Sequence, residues 1–181
     1  MVKKLIWGIT GSGDYITEIV NLIIKIKQDF DLKVTVLLST NGEFVLKFYK
    51  LLNKLKEQIV DVKIEKGPNN PFVAGKMQTG YYNFIVISPV SGNTAAKLAY
   101  GIADSLITNC VAQALKGGQQ VYLFPTDQER ADTTTILPSG KKFILKIRKI
   151  DLDNIERLRE MENVNILKNY MDIYEIIKNN L

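Results

Sequence analysis

Residues 4–13 read Lys-Leu-Ile-Trp-Gly-Ile-Thr-Gly-Ser-Gly, an apolar run that ends in a glycine-rich turn. The run predicts a first β-strand over Lys4–Ile9, because apolar and β-branched side chains favour strands. Apolar residues spaced by three and four positions follow it and predict a helix over residues 14–28. A strand that passes through glycines directly into a helix is the first unit of an α/β fold.

The alternation of strand and helix patterns continues along the chain. Further strands are predicted over residues 34–38, 60–64, 84–87, 120–124 and 141–147, and further helices over residues 42–58, 93–115, 152–160 and 169–178. Asn41 is the expected cap of the helix over 42–58, whose apolar side carries Phe44, Phe48 and Leu55. Apolar strands separated by helices indicate a parallel sheet that is covered on both faces. The sequence therefore predicts one domain over residues 1–181, with a doubly wound, Rossmann-like (flavodoxin-like) α/β fold and a mostly parallel sheet.

The turn after the first strand, Gly11-Ser12-Gly13, is a candidate phosphate-binding loop. A glycine-rich turn at the start of a helix exposes backbone N–H groups, and the helix dipole there favours an anion. The dinucleotide pattern G-x-G-x-x-G fails because Ile16 takes the last position, and no Gly-Lys-Ser/Thr follows as in a P-loop. The second strand ends in Ser39 and Thr40 instead of the acidic residue that would bind an NAD ribose. These features favour a mononucleotide, although a tight turn without a ligand would also explain the glycines.

The strongest apolar strand runs into the second candidate loop, which reads Ser-Pro-Val-Ser-Gly-Asn-Thr over residues 88–94. Ser91 and Gly92 are small enough to let a planar ring approach, and Asn93 and Thr94 offer amide and hydroxyl groups to its carbonyls or to a phosphate. The alternative is that these residues only cap the following helix. Ligands in parallel sheets bind beyond the carboxyl ends of the strands, which is where both loops lie.

Composition excludes several classes of site. The chain has 181 residues, one cysteine and no histidine. It therefore cannot form an intrachain disulfide, a cysteine-ligated metal or iron–sulfur site, or a site that uses imidazole, and a reducing, cytoplasmic location is expected. The net charge of +5 comes from dispersed lysines, so no nucleic-acid partner is predicted. No apolar run approaches the about 20 residues that span a bilayer, so no membrane partner is predicted either.

The two loops together resemble a known family. Pro89-Val90-Ser91-Gly92-Asn93-Thr94 is similar to the P-A-S-A-N-T motif of the flavoproteins that include the FMN-dependent cysteine decarboxylases. The first loop and the segment over residues 101–108 also resemble that family, in matching order over roughly residues 4–126. The resemblance implies FMN as the cofactor and a homo-oligomer built from trimers or a tetramer, with the flavin near subunit contacts. The candidate cofactor-binding residues are Gly11, Ser12, Gly13, Ser39, Thr40, Ser88, Pro89, Ser91, Gly92, Asn93, Thr94 and Thr108.

Two departures from the decarboxylases point to another branch. The chain lacks their histidine, and Pro125-Thr126-Asp127-Gln128 stands where they carry a P-x-M-N substrate motif. Residues 135–140 and 147–151 instead resemble the archaeoflavoproteins and their dihydromethanopterin reductase relatives. That branch implies an electron-transferring FMN oxidoreductase with a ferredoxin-type electron donor. A flavin-dependent lyase or transferase of the decarboxylase or prenylated-flavin synthase type, and a non-enzymatic electron carrier, are the alternatives.

Four further residues carry expectations of their own. Trp7 is expected in the core, and Cys110 is expected to be a small buried side chain instead of a reactive thiol. Tyr81 is expected in the core or at an interface, with the flavin site as a less favoured place. Arg130 lies in the polar stretch over residues 127–142, where it either faces solvent or binds an anion of the flavin or substrate. No residue is assigned a catalytic role from the sequence.

Overall fold

The structure is a computed structural model that describes residues 2–129 and 133–181. Arg130 therefore lies outside the described residues. The described strands are β1 (Lys3–Ile9), β2 (Leu32–Leu38), β3 (Asp61–Ile64), β4 (Phe84–Val90), β5 (Val121–Pro125), β6 (Thr133–Ile136), β7 (Lys142–Leu145) and β8 (Val164–Ile166). The described helices are α1 (Ile16–Asp29), α2 (Thr40–Phe48), α3 (Leu52–Gln58), α4 (Ala74–Gln78), α5 (Gly92–Ala99), α6 (Leu106–Lys116), α7 (Lys149–Arg159) and α8 (Asp172–Asn180).

Six of these strands form one sheet in the order β3-β2-β1-β4-β5-β8, and all of their pairings are parallel. Successive side chains of a strand point to opposite faces, and Leu5 and Trp7 accordingly lie in a different apolar cluster from Ile6. Helices α1, α2, α3 and α8 cover the face of Leu5 and Trp7, while α4, α5, α6 and α7 cover the other. The predicted doubly wound α/β fold is confirmed.

The order of the strands sets the place of a ligand. The chain moves from β1 outward through β2 to β3, then returns to the other side of β1 with β4. The change of direction between β1 and β4 is the point at which such sheets bind ligands. Ile9, the last residue of β1, pairs with Leu38, the last residue of β2, so the loops after these strands start side by side.

The predicted helix over residues 42–58 is wrong, because the structure has two helices there. Lys50 adopts a left-handed backbone with φ 59°, and this interrupts the helix between Phe48 and Leu52. The first helix is also capped by Ser39 instead of Asn41: the Ser39 hydroxyl oxygen accepts the Gly42 N–H at 2.9 Å. Within α2 it is Leu46 that is buried, whereas Phe44 is 66% exposed and Phe48 48% exposed, so the predicted apolar side of this helix is wrong at both phenylalanines.

The predicted helix over residues 93–115 is likewise two helices. The chain leaves α5 through Gly101, which has φ 70°, and α6 begins only after Ser105. The Ser105 and Thr108 side chains form a reciprocal capping box at this second start. The predicted loop over 127–142 contains β6, which pairs with β7 in an antiparallel hairpin outside the main sheet. The sixth strand of the main sheet is β8, which the sequence analysis missed.

Trp7 and Cys110 are buried as predicted, whereas Tyr81 is exposed. Trp7 is fully buried, and its indole N–H donates to the Ser88 carbonyl at 2.8 Å. Cys110 is also buried, and burial raises the pKa of its thiol to about 12. Tyr81 is 47% exposed beneath the Lys4 ammonium, so the core is ruled out as its place and a position at an interface stays a prediction. None of the helices in residues 2–129 and 133–181 has the length and apolar composition needed to cross a bilayer.

Candidate functional site

The two predicted loops are joined directly by Thr10. Its hydroxyl donates to the Pro89 carbonyl at 2.8 Å and accepts the Ser91 N–H at 2.8 Å, while its backbone N–H reaches the same carbonyl at 3.3 Å. Thr10 is 1% exposed, so these bonds are shielded from water. A buried hydroxyl that satisfies two backbone groups of another loop fixes the two loops relative to each other.

A cavity of about 790 Å³ opens at this edge of the sheet. Its volume lies within the range of about 300–1,000 Å³ that is typical of small-molecule and cofactor sites. Its walls come from the loops after β1, β2, β3, β4 and β5, from the start of α6, and from the segment between β7 and α7. Seven predicted binding residues line it: Gly11, Ser39, Thr40, Ser91, Gly92, Asn93 and Thr94.

The other five predicted residues do not line this cavity. Ser12 is 8% exposed, and its hydroxyl donates to the Thr126 hydroxyl at 3.1 Å. Gly13 lines a neighbouring cavity of about 400 Å³ with Tyr49 and the start of α1. The reason is local: the Ser12 hydroxyl accepts the Asp14 N–H at 3.3 Å, Tyr15 is left-handed, and α1 begins only at Ile16. The start of α1 therefore does not face the main cavity, contrary to the expectation for a phosphate loop.

Ser88, Pro89 and Thr108 lie behind the walls of the cavity. Ser88 is fully buried, and its hydroxyl has no hydrogen-bond partner among the described residues. The Pro89 carbonyl is occupied by Thr10, and Thr108 is buried in the capping box of α6. These three residues support the loops instead of presenting groups to a ligand in this cavity.

The first loop offers backbone donors. Within the described part of the chain, the N–H groups of Gly11, Ser12 and Gly13 have no acceptor. Gly11 lies at the cavity beside Asn41, and a Cβ atom at this glycine would stand 2.7 Å from the Asn41 Cβ. Consecutive backbone N–H groups of this kind form concave sites for anions. The loop thus matches a phosphate in chemistry, and its close contact with α2 requires glycine.

The carboxylate of Glu65 occupies the next part of the wall. One of its oxygens accepts the Thr40 N–H at 3.1 Å, and the other accepts the Leu106 N–H at 2.8 Å. Thr40 is the first residue of α2 and Leu106 the first of α6. Glu65 therefore satisfies the starts of two helices, where a negative charge is stabilised by the helix dipoles.

Two cationic side chains at the cavity are also matched by carboxylates. The Lys97 ammonium donates to both Asp104 oxygens at 2.9 and 2.8 Å. The Arg148 guanidinium makes two bonds to Asp151, from Nε at 2.8 Å and from Nη2 at 2.7 Å. The guanidinium bonds hold the pKa of the Asp151 carboxyl below its ordinary value, against the opposing effect of burial. Lys146 also lines the cavity and makes no ion pair with any described residue.

Asp127 stands at the start of α5. Its carboxylate lies against Gly92, because a Cβ atom at this glycine would lie 2.9 Å from Asp127 Oδ2 and 3.3 Å from Oδ1 of Asp151. Burial raises the pKa of Asp127, and the negative charges of Asp151 and Asp14 raise it further. This end of the cavity is therefore acidic, and a side chain larger than that of Gly92 would collide with these carboxylates.

These features fit a nucleotide with one phosphate. Gly11 of the first loop supplies an unpaired backbone donor, Ser39 and Thr40 add hydroxyl groups, and the glycine and amide of the second loop suit a flat polar ring. Among the described residues there is no group of three or more metal-ligating side chains.

The sequence model of the Flavoprotein family matches residues 2–179, and the chain belongs to this family. An uncharacterised protein of Methanocaldococcus jannaschii is 45% identical over 174 residues, which cover 96% of this chain and 94% of that relative. A dihydromethanopterin reductase (acceptor) of the same organism is 29% identical and covers 95% of this chain, with 94% of its own length matched. DmrB of Burkholderia xenovorans, a cubic protein cage for redox transfer solved in complex with FMN, superposes with a TM-score of 0.84 at 29% identity over 99% of this chain and 95% of its own. The family predicted from the two loops, and the branch predicted from residues 135–140 and 147–151, are confirmed.

Sequence reasoning missed several residues at the cavity, namely Glu65, Lys97, Asp104, Lys146, Arg148 and Asp151. Glu65 had a signal, because it directly follows a predicted strand and the ligand edge of a parallel sheet lies at that end. Arg148 and Asp151 lie in residues 147–151, which resemble the reductase branch but were not assigned to the site, and Lys146 had no signal, because it reaches the cavity only through the hairpin of β6 and β7. Asp127 was noticed in the loop after β5, but solvent was the favoured environment.

Proposed function

We propose that this flavoprotein is an electron-transferring oxidoreductase that holds FMN in the cavity at the ends of β1, β2 and β4 and accepts electrons from a ferredoxin-type donor. Residues 1–181 act in this proposal as one FMN-binding domain, with the cytoplasmic location expected from the single cysteine. The observation that carries it is the Thr10 bridge, which fixes a loop of unpaired backbone donors beside the Ser91–Thr94 loop.

Both the family and the groups that line the site support FMN as the cofactor. The chain belongs to the Flavoprotein family, and the relative with the same fold over nearly the whole chain holds FMN. We assign the phosphate to the N–H groups at Gly11, together with Ser39 and Thr40. The ring is assigned to the loop of Ser91 and Asn93, where small side chains leave room for it.

Bound FMN supplies the redox chemistry, so a chain without histidine can carry out the electron transfer. The protein's part is to bind, orient and shield. Thr10 keeps the two loops in register, and Glu65 holds the starts of α2 and α6 on either side of the cavity. Asp127, whose pKa is raised by burial and by neighbouring carboxylates, is positioned at the cavity to hold a proton.

A homo-oligomer belongs to the same proposal. Aromatic side chains of α2 stand exposed, with Phe44 and Phe48 stacked at 6.3 Å between ring centroids. Ile144 and Leu145 are exposed on the hairpin that borders the cavity. Exposed apolar residues grouped near one site are typical of subunit contacts, and the DmrB relative forms a cage. We therefore expect trimers or a tetramer as the building unit.

The donor is tested by anaerobic reduction of the FMN-loaded protein. Reduced ferredoxin should bleach the flavin absorbance in the visible range, and NADH at the same reducing capacity should do so far more slowly. The positive net charge of +5 favours encounter with an acidic protein, so the ferredoxin rate should fall as salt is raised.

The same preparation separates the alternatives. A flavin that stays oxidised with ferredoxin, in a protein that decarboxylates a peptide ending in cysteine, would contradict the oxidoreductase and favour the lyase. A flavin that is reduced by ferredoxin but passes its electrons to no pterin-type acceptor would favour the simple electron carrier. A colourless protein that ignores added FMN would contradict the site itself.

A further inference from the structure

Two properties of the Glu65 side chain bear on what the cavity can bind. It lines the wall, and both of its oxygens are already bonded to backbone N–H groups at helix starts, at 3.1 Å from Thr40 and 2.8 Å from Leu106. Helix starts are the places where proteins commonly bind phosphate. In this chain a carboxylate occupies two of them.

Other groups at the cavity that could attract a phosphate are also paired with carboxylates. The Asp127 carboxylate lies against Gly92 at the start of α5, Lys97 is bonded to both oxygens of Asp104, and Arg148 is bonded to Asp151. Each of these groups would otherwise attract a phosphate. Among the described residues at the cavity, Lys146 makes no ion pair, and the Gly11 N–H of the first loop has no acceptor.

We propose that Glu65 limits the cavity to a ligand with a single phosphate group, so that the protein selects FMN over FAD. The inference rests on the FMN site proposed above. A second phosphate placed against the starts of α2 and α6 would meet the Glu65 carboxylate, and like charges brought together at a binding surface are strongly unfavourable. A second phosphate would also have to displace the two hydrogen bonds that the Glu65 carboxylate already makes. The wall at Glu65 therefore disfavours a second phosphate, while the first loop favours the phosphate of FMN.

The test compares the affinities of the apoprotein for FMN and FAD, measured by flavin fluorescence quenching in the wild type and in two variants. Glu65→Ala removes the charge and frees both N–H groups. Glu65→Gln keeps the size and one acceptor oxygen, and so guards against a variant that fails to fold. We expect the preference for FMN over FAD to fall by about tenfold in Glu65→Ala and by a smaller factor in Glu65→Gln. Inorganic phosphate should also compete with FAD more strongly in the variants.

Glu43→Ala is the matched control, because Glu43 lies in the first turn of the same helix α2 but pairs with Lys47 at 2.8 Å and does not line the cavity. It should leave the FMN-to-FAD ratio unchanged. A purely structural role for Glu65 would weaken both flavins in parallel and lower the melting temperature without changing the ratio, and that result would overturn the inference. A wild-type protein that binds neither flavin would instead contradict the FMN site, so the two failures are distinguishable.

Discussion

In the loop after β1, three consecutive backbone N–H groups have no acceptor in the described part of the chain, whereas the starts of α2 and α6 both donate to Glu65. Both regions lie at the carboxyl edge of one parallel sheet, and Gly11 and Glu65 line the same cavity. The edge of the sheet alone therefore does not define where an anion binds. The carboxylates around the cavity already accept some of the donors at this edge, whereas the N–H groups of the loop after β1 remain without an acceptor.

Among the substitutions that test the loop after β1, Gly11→Ala is expected to have the largest effect on FMN affinity. A Cβ atom there would lie 2.7 Å from the Asn41 Cβ, so either the loop or the start of α2 must move. Overpacking of this kind costs about 1–3 kcal/mol, and we expect FMN affinity to fall by about tenfold or more. Gly75→Ala is the control, since its nearest contact would be the ring of the exposed Phe72. Equal FMN affinity in the two variants, measured by titration, would show that the loop after β1 does not bind the cofactor.

Thr10→Val tests the link between the two loops. The substitution keeps the shape but removes the hydroxyl that serves Pro89 and Ser91, and the loss of buried hydrogen bonds should cost about 1–3 kcal/mol. We expect both a lower free energy of unfolding and FMN affinity reduced by several-fold. Thr35→Val is the matched control, because Thr35 is a buried strand hydroxyl bonded to Asp61 at 2.7 Å, outside the cavity. If Thr35→Val weakened FMN as much as Thr10→Val, the effect would be one of general stability.

Asp127 and Asp151 are expected to respond to pH in opposite directions. The pKa of Asp151 is lowered by Arg148, so its stabilising contribution is present above the ordinary value of 3.8 and is lost as the pH falls through its lowered pKa. The pKa of Asp127 is raised by burial and by neighbouring charges, so its contribution is present below 3.8 and is lost as the pH rises through the raised pKa.

Thermal unfolding of the apoprotein between pH 3 and pH 8 checks these signs. Asp151→Asn should melt below the wild type at pH 8, and the difference should disappear in acid. Asp127→Asn should melt above the wild type at pH 8, because the amide removes the buried charge and its repulsion by Asp151, and this gain should also disappear in acid. If both variants shifted the melting temperature in the same direction at pH 8, the opposite pKa shifts assigned to Asp127 and Asp151 would be contradicted.

The smallest effect is expected at Cys110. The thiol is buried in α6 away from both regions, and its pKa of about 12 keeps it protonated. A thiol reagent at pH 8 should label the unfolded protein and leave the folded one almost unlabelled, and Cys110→Ala should bind FMN as the wild type does. Rapid labelling of the folded protein would mean that α6 opens, and the Leu106 N–H that Glu65 accepts would then not be fixed.

The predictable part of the molecule is the part with strong local patterns. The apolar runs at Lys4–Ile9 and residues 84–87 were correctly identified as strands, and the loops after them were correctly paired. Lys50 could not be foreseen, because a lysine with φ 59° carries no signal in sequence, and one predicted helix therefore became two. Strand β8 is three residues long, too short for a periodic pattern to be recognised.

The predictable part of the site has the same limit. The glycines, Ser39 and the Ser91–Thr94 loop could be found because they follow predicted strands. The role of Glu65 depends on Leu106, which is 41 positions further along the chain and is brought near only by the packing of α6. Likewise, the delayed start of α1 at Ile16 follows from the left-handed Tyr15, and it moves Gly13 out of the main cavity.

Titration of the apoprotein with FMN and with riboflavin, which lacks the phosphate, tests the central claim most directly. If the loop after β1 holds the phosphate through charge-assisted hydrogen bonds, each worth about 1.5–3 kcal/mol, FMN should bind at least about a hundredfold more tightly than riboflavin. The preference should shrink in Gly11→Ala and persist in Gly75→Ala. Equal affinity for FMN and riboflavin would contradict the assignment of the phosphate to this loop.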